Sequence, residues 1–490
     1  MTDRDEDVRK PNGTDRSRHP SRRLAGSGRP RGRLGPARWL GAAAAVLVLA
    51  ACSYGPASST TAAGPATGSA GTASATGAGA TVEIGLPRPV DEQALVAALG
   101  GALGAGGATP PSDQQVAAMY QALVNYVNNH GGLLGRKITP VYYDLNALTG
   151  AAGAADQAMC TSFTQDHHVF AVMDQINTSS TLISCLQKAG VVAFDPVSSV
   201  AMDDTSFAQN PLYGTAGSLS LTRVAQVEVN GLYKQGYFGS NPKVALVGYD
   251  SAPFTRAISQ ALKPALAAHG LKLADQELVA PIAGLSDVAA VQQQLGSAVL
   301  RFKGEGIDHV LFFDTNGGTV NPWTQAATPQ NYFPRLGLTT NEYPAQQSYI
   351  GNTRNPKQVQ EFSTALGVGW SPVTDVADSP ANATGTLCDT VMEAGGVTAA
   401  QAHGFWSTCD ELLDFAAGVN AGGGLTAADA LSGLGRAGSL PSAELVAPPQ
   451  YTAGRRDGAA AVRDLSYSAK CQCFQYGSGI VSVSSLLSNS

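Results

Sequence analysis

The chain has 490 residues, of which 44% are hydrophobic and only 14% charged, with a formal net charge of −6. That is enough apolar material for a sizeable core, and too little positive charge for a surface that would hold nucleic acid or anionic headgroups. It carries seven cysteines, and what they do depends on the redox compartment.

The N-terminal segment reads as an export address. A basic leader (Arg22, Arg23, Arg29, Arg31, Arg33, Arg38) runs into the apolar stretch WLGAAAAVLVLAA at 39–51. A spanning helix needs about 20 apolar residues. This run is shorter, ends on small residues and lacks stop-transfer charges, which predicts a cleaved signal peptide over 1–51. Arg22-Arg23 lies too far ahead of the apolar core for a twin-arginine signal and counts as ordinary leader charge. Leu49-Ala50-Ala51-Cys52 matches the lipobox of bacterial lipoproteins. The match implies diacylation of Cys52 and a lipid-anchored protein on the outer face of the cytoplasmic membrane. Loss of the basic leader leaves a mature chain more acidic than the full sequence. Residues 52–80, rich in Ser, Thr, Ala and Gly, cannot bury enough surface to offset ordering entropy, so a flexible linker is expected there.

The roughly 410 residues that follow exceed the size at which one core stops growing, so two lobes are expected. From 82 onward, short β-branched runs alternate with helical patterns, the mark of a parallel sheet with crossover helices. Strands are predicted at 82–86, 138–144, 169–174 and 191–195. A helix begins at the capping box of Ser112 and Gln115, carries Val116, Met119, Tyr120, Leu123 and Val127 on one face, and ends at Asn129-His130-Gly131-Gly132. Helices at 151–165 and 179–189 separate the next strands. After Pro211 the rhythm restarts: helix 219–235, strand 243–250, helix 254–269, strand 273–279, helix 286–302, and strands 307–314 and 335–340. Helical patterns return at 381–394 and 408–419, and short strand-like runs follow 446. The expected architecture is two Rossmann-like doubly wound α/β lobes, with 82–213 plus 372–450 in the first and 214–371 plus 451–490 in the second. The chain then crosses between them several times, making a hinge, and a cleft opens at the carboxyl ends of both sheets.

NYVNNHGGLLGRKITPVYYD at 125–144 resembles a segment of the type I periplasmic binding proteins, which include the branched-chain amino-acid binding proteins of ABC importers. DHHVFAVMDQINTSST, AGVVAFDP, KVALVGYD and LFFDTNGG extend the likeness more weakly across 82–480. The resemblance implies a Venus-flytrap receptor whose binding groups lie on loops after strand ends, here 87–90, 175–179, 195–199, 250–252, 314–318 and 339–342. Thr178, Ser179, Ser198 and Ser199 fall where the amino-acid binders hold the ligand carboxylate. Glu342, Asp314 and Asp250 are candidates for the acid that meets the ammonium. Gln175, Asn177, Asp195, Ser251, Thr315, Asn316 and Thr340 complete the expected loop set. Arg88, beside the Gly/Ala insert at 100–108, is a departure from the usual short Ser/Gly loop; an anionic ligand or an internal ion pair with Asp195 would explain it.

With Cys52 used for lipid, six cysteines remain, which allow fifteen pairings. Cys160 and Cys185 lie on consecutive predicted helices flanking the third strand, and Cys388 and Cys409 on successive later helices. Cys471 and Cys473 are left to each other. His167-His168 reads as solvated loop. The mature chain has no HExxH, CxxC or Gly-x-Ser-x-Gly pattern, and the Gly-rich run lacks the setting of a phosphate loop. The reading is a solute-binding lipoprotein that is not an enzyme and uses no cofactor or metal. Its partners are a small polar ligand and an ABC permease or a sensor, with the membrane reached only through the anchor and no nucleic acid. A ligand sensor without a transporter is the first alternative, and an extracytoplasmic enzyme the second.

Overall fold

The computed structural model describes residues 80–91, 93–94, 110–146, 154–173, 180–197, 201–282, 285–315, 317–350, 356–377 and 379–487. All belong to one compact unit, Ala73–Ser490. The signal peptide, Cys52, the linker and the Gly/Ala insert lie outside the described residues.

The first sheet is wholly parallel, with strands β1 (Thr81–Val90), β2 (Lys137–Asn146), β3 (Ala171–Met173), β4 (Val192–Asp195) and β5 (Tyr213–Thr215) in the order β2-β1-β3-β4-β5. Helices cover both its faces. One core joins Ile84 and Leu86 to Val116, Met119 and Tyr120 and, from much later in the chain, to Cys388, Trp406 and Phe415. The other joins Val141 and Val172 to Phe163, Leu182 and Leu186. The helix Asp113–Asn129 has the capping box expected at Ser112. At its C-terminal turn Gly132 takes φ +58, and a Cβ there would sit 2.1 Å from the Arg136 carbonyl oxygen, so only glycine closes this turn.

The second sheet has β6 (Val244–Tyr249), β7 (Leu273–Val279), β8 (His309–Phe313), β9 (Arg335–Thr339), β10 (Leu366–Gly369), β11 (Ala461–Ser468) and β12 (Cys473–Ser482), in the order β12-β11-β10-β9-β8-β6-β7. β11 and β12 run antiparallel at one edge. A single core fills this half, centred on Leu246, Phe312, Trp323 and Leu338.

Three strand expectations need correction. β5 and β10 are strands that the periodicity did not predict, being only three and four residues long and carrying glycines with weak strand preference. β1 continues to Val90, paired with β2 over its whole length, where a loop was expected from 87. The run after 446 becomes regular strand only at Ala461.

The chain passes between the halves after Thr215, after Gly369, and between Ala443 and Ala461. These passages are laced together. The Trp370 indole donates to the Gly217 carbonyl at 3.2 Å, Thr215 N–H to Arg456 O at 2.8 Å, and Ala459 N–H to Ser218 O at 3.0 Å. Arg223, from the buried helix Leu221–Lys234, forms an ion pair with Asp457, itself only 3% exposed.

Candidate functional site

In an open parallel sheet the crevice lies at the carboxyl ends of the strands where the order reverses. In the first sheet that point is β1, flanked by β2 and β3, and in the second it is β6, flanked by β7 and β8. By that rule the loops of interest are those after β1 and β3 in the first sheet and after β6 and β8 in the second. Gln175, Asn177, Thr178, Ser179, Ser198, Ser199 and Asn316 belong to these loops or the one after β4 and lie outside the described residues.

Arg88 lies within β1, not in a loop. Its cross-strand neighbour is Asp144, with which it forms an ion pair, and its guanidinium stands 4.8 Å from the Tyr142 ring centroid. The internal pair with Asp195 is therefore corrected. Asp195 is fully buried and accepts hydrogen bonds from the Tyr213 hydroxyl at 2.8 Å and Val197 N–H at 3.0 Å. The reason is strand length: ten paired residues bring Arg88 opposite Asp144 before the chain can turn.

Asp250 is exposed just beyond β6, with its backbone N–H given to Val279 O. Ser251 N-caps the helix Ala252–Ala257 without a side-chain bond. Asp314 and Glu342, in contrast, are 0% exposed. Asp314 accepts from Thr319 N–H at 2.7 Å and the Thr319 hydroxyl at 2.5 Å. Glu342 accepts from Asp314 N–H at 3.1 Å, from Thr339 N–H at 2.5 Å and from the Thr339 hydroxyl at 2.7 Å. The two acids brace the loops after β8 and β9 from behind. Burial pushes the Asp314 carboxyl up to about 7, and burial with the adjacent Asp314 holds Glu342 well above the ordinary range. Thr315 is half-buried beside them. Thr340 is 7% exposed; its hydroxyl donates to Asp375 at 3.1 Å and accepts from Trp370 N–H at 2.8 Å, tying the second lobe to a passage between lobes.

Sequence reasoning missed three features here. Thr339 and Glu342 form a capping box on the turn Thr340–Glu342, a signal present in the sequence as Thr-x-x-Glu. Tyr343 follows in the left-handed region at φ 52; burial, then Glu444, Asp195 and Asp314, push its hydroxyl up to about 12. Finally, Arg256 of the second lobe makes a two-pronged ion pair with Asp203 of the first, Nε to Oδ2 at 2.6 Å and Nη2 to Oδ1 at 2.8 Å. Arg256 also reaches the Ser206 hydroxyl at 3.0 Å.

Among the described residues no group of acids, histidines and cysteines is placed to hold a metal ion, and no helix is long and apolar enough to cross a membrane.

The profile of a family described as periplasmic binding protein matches residues 98–335. A search of curated protein sequences finds no match. Among solved structures, an ABC transporter substrate-binding protein from Desulfitobacterium hafniense superposes with a TM-score of 0.53 at 15% identity, covering 81% of this chain and 100% of that one. The solute-binding protein of an R. palustris ABC transporter, in complex with 4-hydroxybenzoate, gives 0.57 at 13% identity, covering 82% and 97%. The branched-chain amino acid transporter substrate-binding protein LivJ from Streptococcus pneumoniae, in complex with isoleucine, gives 0.54 at 14% identity, covering 82% and 100%. The chain has the fold of the type I periplasmic binding proteins, and its residues 98–335 carry that family's sequence pattern.

Proposed function

We propose that this protein is an extracytoplasmic solute-binding lipoprotein, anchored through Cys52, that captures a small polar, amino-acid-like ligand between its lobes for an ABC importer. The observation that carries the reading is the reversal of strand order at β1 in one sheet and at β6 in the other, in two halves joined by three passages of the chain. Binding groups at strand ends can then meet one solute from two sides. The hydroxyls of Thr178, Ser179, Ser198 and Ser199 would take the ligand's carboxylate on the first lobe. Asp250 would meet the ammonium from the second, since it is exposed just beyond β6 while Asp314 and Glu342 are spent on bracing loops. Closure stores no energy of its own; the ligand drives it only by binding the closed form more tightly.

The test begins with Cys52→Ala, which should leave the membrane fraction because the anchor is removed. That soluble form is screened by thermal shift against amino acids, small aromatic acids and sugars, and the hit is titrated calorimetrically. Ser179→Ala and Ser198→Ala should each weaken binding about ten- to a hundredfold with the melting temperature almost unchanged, one hydrogen bond to a charged group being worth roughly 1.5 to 3 kcal/mol. Asp250→Asn should do the same for an ammonium-bearing ligand. Wild-type affinity in all three variants would remove the ligand from these loops.

A further inference from the structure

The three disulfides differ in setting. Cys160–Cys185 and Cys388–Cys409 close loops of sequence separation 25 and 21 and join helices in the core, where Cys160, Cys388 and Cys409 are no more than 1% exposed. Cys471–Cys473 spans a separation of 2 at the tip of the hairpin between β11 and β12, with Cys471 exposed and Cys473 half-buried. Gln472, between them, is held at φ 55, the left-handed region that a side chain of this kind rarely enters. A bridge over so short a loop removes the least entropy from the unfolded chain. Lys470, also exposed, puts a positive charge beside any thiolate formed there.

A second observation lies next to the first. A groove of about 620 Å³ runs under the amino-terminal ends of β8, β9 and β10, lined by Phe333, Arg335, Thr364, Leu366, Ser466 and Tyr467. Ser466 shares a sheet face with Ser468, two residues on, and Ser468 is the cross-strand partner of Cys473. The groove's lining thus reaches β11 at Ser466 and Tyr467, within two residues of the cross-strand partner of Cys473. Its volume is that of a small-molecule site. Arg335 gives Nε to the Thr364 carbonyl and Nη1 to those of Gly236 and Tyr237, which leaves its Nη2, with the hydroxyls of Thr364 and Ser466, as donors to a carboxylate.

We propose that Cys471–Cys473 is a thiol–disulfide exchange centre that oxidises a low-molecular-weight, carboxylate-bearing thiol seated in the adjacent groove. The thiolate of the first thiol attacks Sγ of exposed Cys471, forming a mixed disulfide, and Cys473 leaves as a thiolate that takes a proton from water. A second thiolate attacks the sulfur of the bound thiol and expels Cys471 as a thiolate, which is protonated in turn. Two thiols become one disulfide, and the protein bridge becomes two thiols.

Glutathione is the probe. The full-length protein is equilibrated with increasing reduced glutathione, alkylated, and mapped by mass spectrometry. Cys471 and Cys473 should become labelled at a glutathione concentration at least about tenfold below that which opens either other bridge. One equivalent of glutathione disulfide should form per chain, and none in Cys471→Ser/Cys473→Ser. Cysteamine, which lacks the carboxylate, should react several-fold more slowly. The exchange centre is overturned if all three bridges open together or if this one opens last, and equal rates with cysteamine would remove the groove from the proposal. A large fall in melting temperature in the double serine variant would mark the bridge as structural and also count against it.

Discussion

Glu228 is 0% exposed on the helix Leu221–Lys234, and neither of its carboxyl oxygens has a hydrogen-bond partner among the described residues. The charged groups that bear on it, Glu342 and Asp314, are themselves buried acids. Burial first, then these two, hold it well above the ordinary carboxylate range. It is one of a set. Burial is also the leading cause that raises Asp410 to about 6, Asp314 and Asp375 to about 7, and Glu444 to about 8. An acid with a raised folded pKa keeps a proton that the unfolded chain has already released. The stability is therefore complete below the unfolded value near 4 and is lost as pH rises through each folded value. His269 and His403, lowered by burial, act in the opposite direction, but only around their ordinary value. The protein should melt roughly 5 °C lower at pH 8.5 than at pH 5.5. Glu228→Gln, an uncharged near-isostere, should raise the melting temperature at pH 8.5 by about 2 °C and leave it almost unchanged at pH 5.5. Melting curves across this range check both, and a melting temperature that climbs toward pH 8.5 would contradict the account.

At the scale of elements, the helices Trp406–Gly422 and Ala427–Arg436 approach each other through glycine. A Cβ on Gly433 would sit 1.8 Å from the Gly418 carbonyl oxygen and 2.6 Å from Gly422 N. Gly433→Ala must push these helices apart, costing about 1 to 3 kcal/mol despite alanine's better helix propensity. Chemical denaturation should show a lowered midpoint with little change in slope. Helices with an amphipathic face and a cap were legible in the sequence, as Ser112 and Gln115 show, because those signals are local. Cys160–Cys185 and Cys388–Cys409 are the pairs expected from their order on successive helices, and Cys471–Cys473 is the pair expected to be left over, with Cα–Cα distances of 6.3, 5.9 and 5.2 Å. β5 and β10 were not legible, since their place is set by neighbouring strands and not by their own side chains. The inward turn of Asp314 and Glu342 was hidden for a related reason. An acid after a strand reads as a loop ligand until the hydroxyl that claims it, here Thr319 or Thr339, is known to be in reach. The Thr339-x-x-Glu342 box was the one local sign that Glu342 points back onto its own turn.

For the molecule as a whole, the Arg256–Asp203 pair sets the relation between the lobes. Phe254 and Ala257, on either side of Arg256, lie in the second lobe's core, while Met202 and Phe207, flanking Asp203, lie in the first. Asp203 also accepts from Ser206 N–H at 2.9 Å as the N-cap of the helix Asp204–Gln209, so its position is fixed before Arg256 arrives. The side chains are 30% and 2% exposed, which places the pair between a surface bridge worth almost nothing and a fully desolvated one. Two-pronged geometry onto a preorganised carboxylate favours a value of about 1 kcal/mol. Arg256→Gln removes the charge and leaves the helix cap intact, so its effect is confined to the lobes' relative orientation. If the pair holds the arrangement seen here, the free variant should sample wider separations, and small-angle scattering should give a larger radius of gyration than wild type at low salt. The difference should shrink at about 1 M salt, where exposed charges are screened within about 3 Å. A ligand that needs the lobes together then works against a smaller competent fraction, and its apparent affinity should fall about fivefold, the factor that 1 kcal/mol supplies. Loss of affinity without a change in radius would place Arg256 at the ligand. No change in either would mean that the three passages alone fix the lobes.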